Sequence, residues 1–151
     1  VLMDETKWLR EMLRRELDLM APYLARIGKK NVVIKDEKDG PIAYARLSDR
    51  WNGHEINTFV IDPEHRGKGL SHEVLKRCGD GRLFAYTRDT RMRSALLRAG
   101  FERRRTPGPV ALLSVMVARA SSVFWMVVLL EFRRLHHQLV NLFRYELFVR
   151  E

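Results

Sequence analysis

Between Asp62 and Ser71 the chain reads DPEHRGKGLS, and its chemistry concentrates there. Gly67 and Gly69 alternate with Arg66 and Lys68, and an amphipathic run starts at Leu70. Glycine has no Cβ, so its peptide can turn an N–H outward where another residue would be hindered. A helix starting at Leu70 aims its unpaired first-turn N–H groups and the positive end of its dipole at the same spot. Together these make an anion site suited to phosphate, with Arg66 and Lys68 adding side-chain charge. The phosphate loop G-x-x-x-x-G-K-[ST] is absent, and the dinucleotide pattern G-x-G-x-x-G fails at its third glycine, where His72 stands.

Other reactive residue types are sparse. Cys78 is the only cysteine, so no internal disulfide and no cysteine-based zinc cluster can form, which fits a reducing, cytoplasmic setting. It falls near the end of a helical run, not at a helix start where its thiol would be activated, so a cysteine nucleophile is not expected. His136 and His137 are consecutive and point to different helix faces, and no acidic partner stands at ligand spacing, so no metal site is expected. His65 and His72 flank the glycine stretch and read as surface residues.

These residues need elements to hold them. The 151 residues suffice for one compact domain with a core, and 46% hydrophobic with 31% charged is the mix of a soluble globular protein. The stretch from Asp4 to Ile27 reads as a helix, with Pro22 breaking or restarting it and Gly28 ending it. NVVIKD, IAYARLS and HEINTFVID read as three strands, the first two joined by a hairpin at Asp39-Gly40. Leu70 to Arg77 is a helix, RLFAY a buried strand, and Asp89 or Thr90 caps a further helix that stops at Gly100. FERRR and VALLSVMVA are expected to pair as a last hairpin. The order mixes antiparallel hairpins with one β-α-β crossover, hence an α+β or mixed α/β class.

Residues 121–151 read as one long helix, apolar all round at VFWMVVLL, with a narrower apolar seam beyond. The expected organisation is thus a domain over 1–120 and a helical appendage over 121–151 whose seam makes a homodimer contact. The run from Val110 to Leu130 is long enough to span a bilayer. Arg119 near its middle would cost about 2.5–3.5 kcal/mol there, so a membrane span is not expected. Nor does the acidic VLMDETKW read as a signal peptide.

VIDPEHRGKGLSHEVL resembles the acetyl-CoA-binding motif of the GNAT superfamily of N-acetyltransferases, with Ile61, Pro63, Arg66, Gly67, Lys68, Gly69 and Leu70 matching. The family's second landmark is similar to LFAYT followed by DTRMRSALLRAGF, with Ala99-Gly100-Phe101 at the expected distance. The resemblance covers roughly Asn31 to Ala118. It implies a central, mostly antiparallel sheet flanked by helices. Amides from Arg66 to Ser71 would hold the pyrophosphate of acetyl-CoA, with Asp89 and Ser94 nearby at the family's cofactor-binding positions. The backbone of Phe59, Val60 and Ile61 would pair with the pantetheine arm, and that strand would part from the one carrying RLFAY. The acetyl carbonyl would accept hydrogen bonds from backbone amides near the parting. The reaction implied is direct acetyl transfer to a primary amine, small-molecule or peptide. Glu55, or less strongly its neighbour His54, stands where such enzymes place the group that takes the ammonium proton. Alternate strand residues face opposite ways, so at most one of the two can serve.

The departures are Glu64 at the family's Gln or Arg position, Asp89 at its Asn, and Leu96 at the Tyr that often reprotonates the thiolate. Ser94, water or Tyr86 are the remaining sources of that proton. The family's first strand is also not evident before the Asp4 helix. Leu96 and Asp89 motivate an alternative, a CoA-binding regulatory module without catalysis. A less favoured reading uses the net charge of +9, and the arginines at 88, 91, 93, 98 and 103–105, to bind nucleic acid.

Overall fold

The computed structural model describes residues 4–28 and 30–151; positions 1–3 of the N-terminal stretch considered above lie outside them. Within these residues one six-stranded sheet runs in the order β1-β2-β3-β4-β6-β5. The strands are β1 (Asn31–Lys35), β2 (Pro41–Asp49), β3 (His54–Ile61), β4 (Leu83–Thr87), β5 (Glu102–Arg104) and β6 (Glu146–Arg150). All neighbours are antiparallel except β3 and β4. The helices are α1 (Glu5–Arg15), α2 (Leu70–Arg77), α3 (Thr90–Arg98), α4 (Pro109–Val128) and α5 (Phe132–Val140). This is the mixed α/β class expected.

The strands alternate their side chains between two covered faces. One face places Ala43, Ala45, Ile56, Leu83, Ala85 and Phe148 against Val74, Leu75, Ala95 and Leu96 of α2 and α3. On the other, Tyr44 and Val60 pack under Trp8, Leu9, Met12 and Leu13 of α1. Further along that face, Phe84, Leu147 and Val149 pack under Ala111 and Val115 of α4. Between α1 and α4 this second face is left open.

Three sequence expectations are corrected. First, α1 ends at Arg15, not near Ile27, and Pro22 starts only a short 3-10 turn. Glu16 is extended, and the carbonyls that a longer helix would use internally go to another partner. The guanidinium of Arg134, 2% exposed, donates to the carbonyls of Glu16 (2.7 Å), Leu19 (2.8 Å) and Leu13 (2.8 Å). Gln138 adds bonds to Leu17 and Leu19.

Second, residues 110–118 are helix, not a strand paired with β5. Pro109 sits in the first helical turn, where its missing N–H costs nothing. Beyond it the apolar run has no alternation to favour a strand. The helix is long and apolar enough to cross a membrane by length and composition. Its Ala111 and Val115 pack on Phe84, Leu147 and Val149 of the sheet, and Ser114 and Met126 are also buried.

Third, the tail is not one helix, and position 120 lies inside α4. Leu130 takes φ +57°, and the Glu131 N–H returns to the Met126 carbonyl at 2.8 Å, a Schellman-type stop. After α5 the chain extends again, and β6 inserts between β4 and β5.

Replacing Arg134 with Met keeps apolar bulk but removes three charge-assisted bonds, leaving the carbonyls of Leu13, Glu16 and Leu19 only the donors Glu16 N–H, Leu19 N–H and Gln138. The variant is expected to lose about 3 kcal/mol of unfolding free energy, read by urea denaturation. A loss within error of zero would show that the guanidinium does not hold the end of α1.

Candidate functional site

β3 and β4 pair at only two positions, His54 with Leu83 and Glu55 with Phe84. Beyond them the strands part, although β3 continues to pair with β2 as far as Ile61. On β3 the Asp62 N–H donates to Ile42 of β2 at 2.9 Å. Backbone groups alternate sides along a strand, so those of Ile61 and Phe59 point away from β2 into the gap. Asn57 is the extra residue of a bulge in the β2–β3 ladder, between Thr58 opposite Arg46 and Ile56 opposite Leu47. It sharpens the bend of β3 beside the gap.

At the end of that gap stands the glycine stretch. Gly67 and Gly69 have φ +77° and +76°, and Gly69 is the N-cap of α2 with no side-chain cap. A Cβ would meet nothing within 4 Å at either glycine, so it is the positive φ that selects the residue. The Arg66 N–H is taken by Pro63 at 3.4 Å, and the first bonded amide of α2 is Glu73, held by Gly69 at 3.3 Å. The amides from Gly67 to His72 donate to no protein acceptor among the described residues. The cradle therefore begins one residue later than expected.

Gap and cradle open into one cleft of about 1460 Å³. Of the expected site residues, Glu55, Phe59, Val60, Ile61, Arg66, Gly67, Gly69, Leu70, Ser71, Asp89 and Ser94 line it. Lys68 is exposed outside the lining. His54 is on the other strand face, where its Nδ1 lies 2.8 Å from Asp49, so it is not brought to the cleft. Asp89 is occupied as the N-cap of α3, accepting from Arg91 and Met92 amides. Ser94 donates to the Thr90 carbonyl of its own helix. Leu96 is fully buried among the α2 and α3 residues. Cys78 is buried away from the cleft, and burial pushes its thiol up to about 11. No group of three or more His, Cys, Asp or Glu is placed to hold a metal among the described residues.

Glu55 is buried at the point where the strands part. Its Oε2 accepts from Arg50 Nε at 2.6 Å, and its Oε1 accepts from Arg119 on α4. The Arg119 guanidinium also lies 5.8 Å from the centre of the Tyr86 ring. Burial, and secondarily Glu55, raise the Tyr86 phenol above its ordinary value, while Arg119 opposes them. It is therefore a neutral hydroxyl at the cleft wall. Sequence reasoning missed Arg50 and Arg119 as site residues. The one signal for Arg119 was a charge inside an apolar run, which demands a partner.

A second polar knot closes the far wall. Asp18 accepts from Tyr145 (2.6 Å) and from Arg88 Nε (3.0 and 3.1 Å), and His137 Nε2 lies 2.9 Å away. This ties the loop after α1 to the β4–α3 loop, to α5 and to the entry of β6. Of the arginines expected for a nucleic-acid face, Arg88, Arg91, Arg93, Arg103 and Arg104 each pair with a carboxylate.

Burial raises the Asp18 carboxyl, but the bonds from Tyr145, Arg88 and His137 outweigh it and leave the group below the usual aspartate range. A depressed folded value contributes stability that is complete above the unfolded value, about pH 4, and is lost as the pH falls through the folded one. Asp18→Asn is expected to lose about 1 kcal/mol at pH 7 and to show a shallower decline below about pH 4. Parallel urea titrations at both pH values check this, and equal slopes in the two proteins would refute it.

Comparison with known proteins places these features. The model of the acetyltransferase (GNAT) family matches residues 3–93. A Mycobacterium tuberculosis protein solved in complex with CoA and NLQ shares the fold at TM-score 0.63, with 18% identity over 96% of this chain and 92% of that one. A phosphinothricin acetyltransferase from Sinorhizobium meliloti, solved in complex with AcCoA, is 20% identical and aligns at TM-score 0.49 over 66% of this chain and 71% of that one. No curated protein matches the sequence. With the family match spanning more than half its length, the chain belongs to the GNAT acetyltransferase family.

Proposed function

We propose that the protein binds acetyl-CoA and transfers its acetyl group directly to a primary amine. The observation that carries this is the conjunction of parted strands with a run of unbonded amides at the end of the gap. The residues fit the cosubstrate. Amides from Gly67 to His72 would hold the pyrophosphate, and the free backbone edge at Phe59 and Ile61 would hydrogen-bond the pantetheine arm as an added strand. When bound, acetyl-CoA supplies a thioester whose acetyl carbon the neutral amine attacks as the carbon–sulfur bond breaks.

The chain's own groups then have two proton tasks. The departing thiolate needs a proton, and Leu96 is in the core and supplies none. Tyr86 lines the cleft, and its phenol, kept neutral by burial, is the donor we assign. The amine must lose a proton. Glu55 is the carboxylate at the parting, but both its oxygens already accept from guanidiniums. A proton placed on it would displace one of those bonds, so the proton passes to water in the open cleft and on to solvent, with the Glu55 carboxylate favouring its departure electrostatically.

Titration calorimetry with CoA and acetyl-CoA is expected to give dissociation constants below about 1 mM, weakened about tenfold in Gly69→Val, whose β-branched side chain resists a positive φ. Tyr86→Phe should keep CoA affinity and lower turnover about 100-fold. Absence of binding would end the acetyltransferase reading. Tight binding with no turnover on a broad amine panel would favour the regulatory module.

We further propose that two copies associate through the outward stripe of α4. Leu113, Met116, Val117, Phe124 and Val128 recur at helical spacing on the side opposite the sheet, and all are exposed. So long an apolar stripe exceeds what a monomer normally shows to water. Light scattering should give the mass of a dimer for the intact chain and of a monomer for Val117→Asp; a monomeric intact chain would sink this assignment.

A further inference from the structure

We propose that the acceptor carries a carboxylate beside its amine, and that Arg46 receives it. The inference rests on the acetyltransferase reading above and concerns the acceptor half of the same cleft.

The cradle and α3 lie toward one side of the sheet, so an acceptor reaches the parting from the opening between α1 and α4 on the other. Arg46, Arg50 and Arg119 line the cleft there, and Glu55 is the carboxylate that Arg50 and Arg119 share. The nearby acids are already engaged: Asp18 by Arg88, and Glu16 by Arg66 at 3.6 Å. The mouth therefore keeps an excess of positive charge. A diamine, an aminoglycoside or a lysine-rich peptide would enter against that field, and an anionic amine would enter with it.

Arg46 is the residue this excess leaves over. It is half-buried on β2 and pairs with no carboxylate among the described residues. Its Nη1 finds only the Met20 sulfur, at 3.6 Å, a weak acceptor. A partly desolvated guanidinium without an acid does not serve stability. It is also well placed. Arg46 stands opposite Thr58 in register, three residues along β3 from Glu55, or about 10 Å at strand spacing. A molecule of amino-acid size can thus present its amine at the parting while its carboxylate meets the guanidinium fork. Between these points, Asn57 Oδ1 and Thr58 Oγ1 are buried without a hydrogen-bond partner, so polar groups there await a polar ligand.

The test uses primary amines of matched size: free α-amino acids, their carboxamides, and simple diamines. Two readouts are taken, kcat/KM at saturating acetyl-CoA and direct titration into CoA-loaded protein. Free acids should exceed carboxamides and diamines at least tenfold in both. Arg46→Gln should bring the acid-to-amide ratio close to one, and Arg46→Lys should restore part of it. Both variants should bind CoA as the parent does, which shows them folded. The inference is overturned if carboxamides or diamines match the acids, if no free acid binds CoA-loaded protein up to about 10 mM, or if Arg46→Gln leaves the ratio unchanged. Failure of CoA itself to bind is a separate outcome: it removes the acetyltransferase reading and this inference with it.

Discussion

The early parting of β3 from β4 is the constraint on which the rest of the molecule depends. A parallel pair would ordinarily continue its ladder, and here it stops after two residue pairs. The unpaired edge of β3 would be an unsatisfied and aggregation-prone surface unless something covers it. The molecule invests in keeping it open. The Asn57 bulge bends β3, β2 supports its other edge as far as Ile61, and the buried Glu55 joins β3 to Arg50 at the end of β2 and to Arg119 of α4 at the fork. In the proposed reading that edge receives the pantetheine arm, and the glycine stretch at its end receives the pyrophosphate.

The walls of the cleft come from distant parts of the chain. The loop after α1 is not a regular element, yet it is fixed by Arg134 and Gln138 from α5 and by the bonds of Asp18 to Arg88 and Tyr145. Its position is thus set by the C-terminal third, which also provides α4 and Arg119. The half proposed for the cofactor is local, built from consecutive residues of β3 and α2, whereas the half proposed for the acceptor is assembled across the whole sequence.

That difference explains what the sequence revealed. The glycine cradle was legible because its requirements are local: positive φ, no cap, a helix start. β1 to β4, α2 and α3 were legible because each carries its period and a turn residue at its boundary. Residues 110–130 were not, since a run apolar on every side carries neither period, and Pro109 was the one start signal. β6 was illegible for the same reason in reverse. Leu147, Phe148 and Val149 are all buried, because both faces of that strand are covered, so its alternation vanished into an apparent helical register. Arg119 was visible only as an anomaly, and its partner Glu55, far off in sequence, could not be paired with it by spacing.

The place of β6 has a consequence for how the chain is made. β4 and β5 are not neighbours in the sheet; the strand between them follows both of them, and α4 and α5, in the chain. Until it emerges from the ribosome, β4 has one bare edge, β5 has no partner, and α4 has no complete surface to lie on. The nascent chain therefore carries its most apolar helix unsheltered until that strand is made, a window in which chaperone capture and self-association compete with folding.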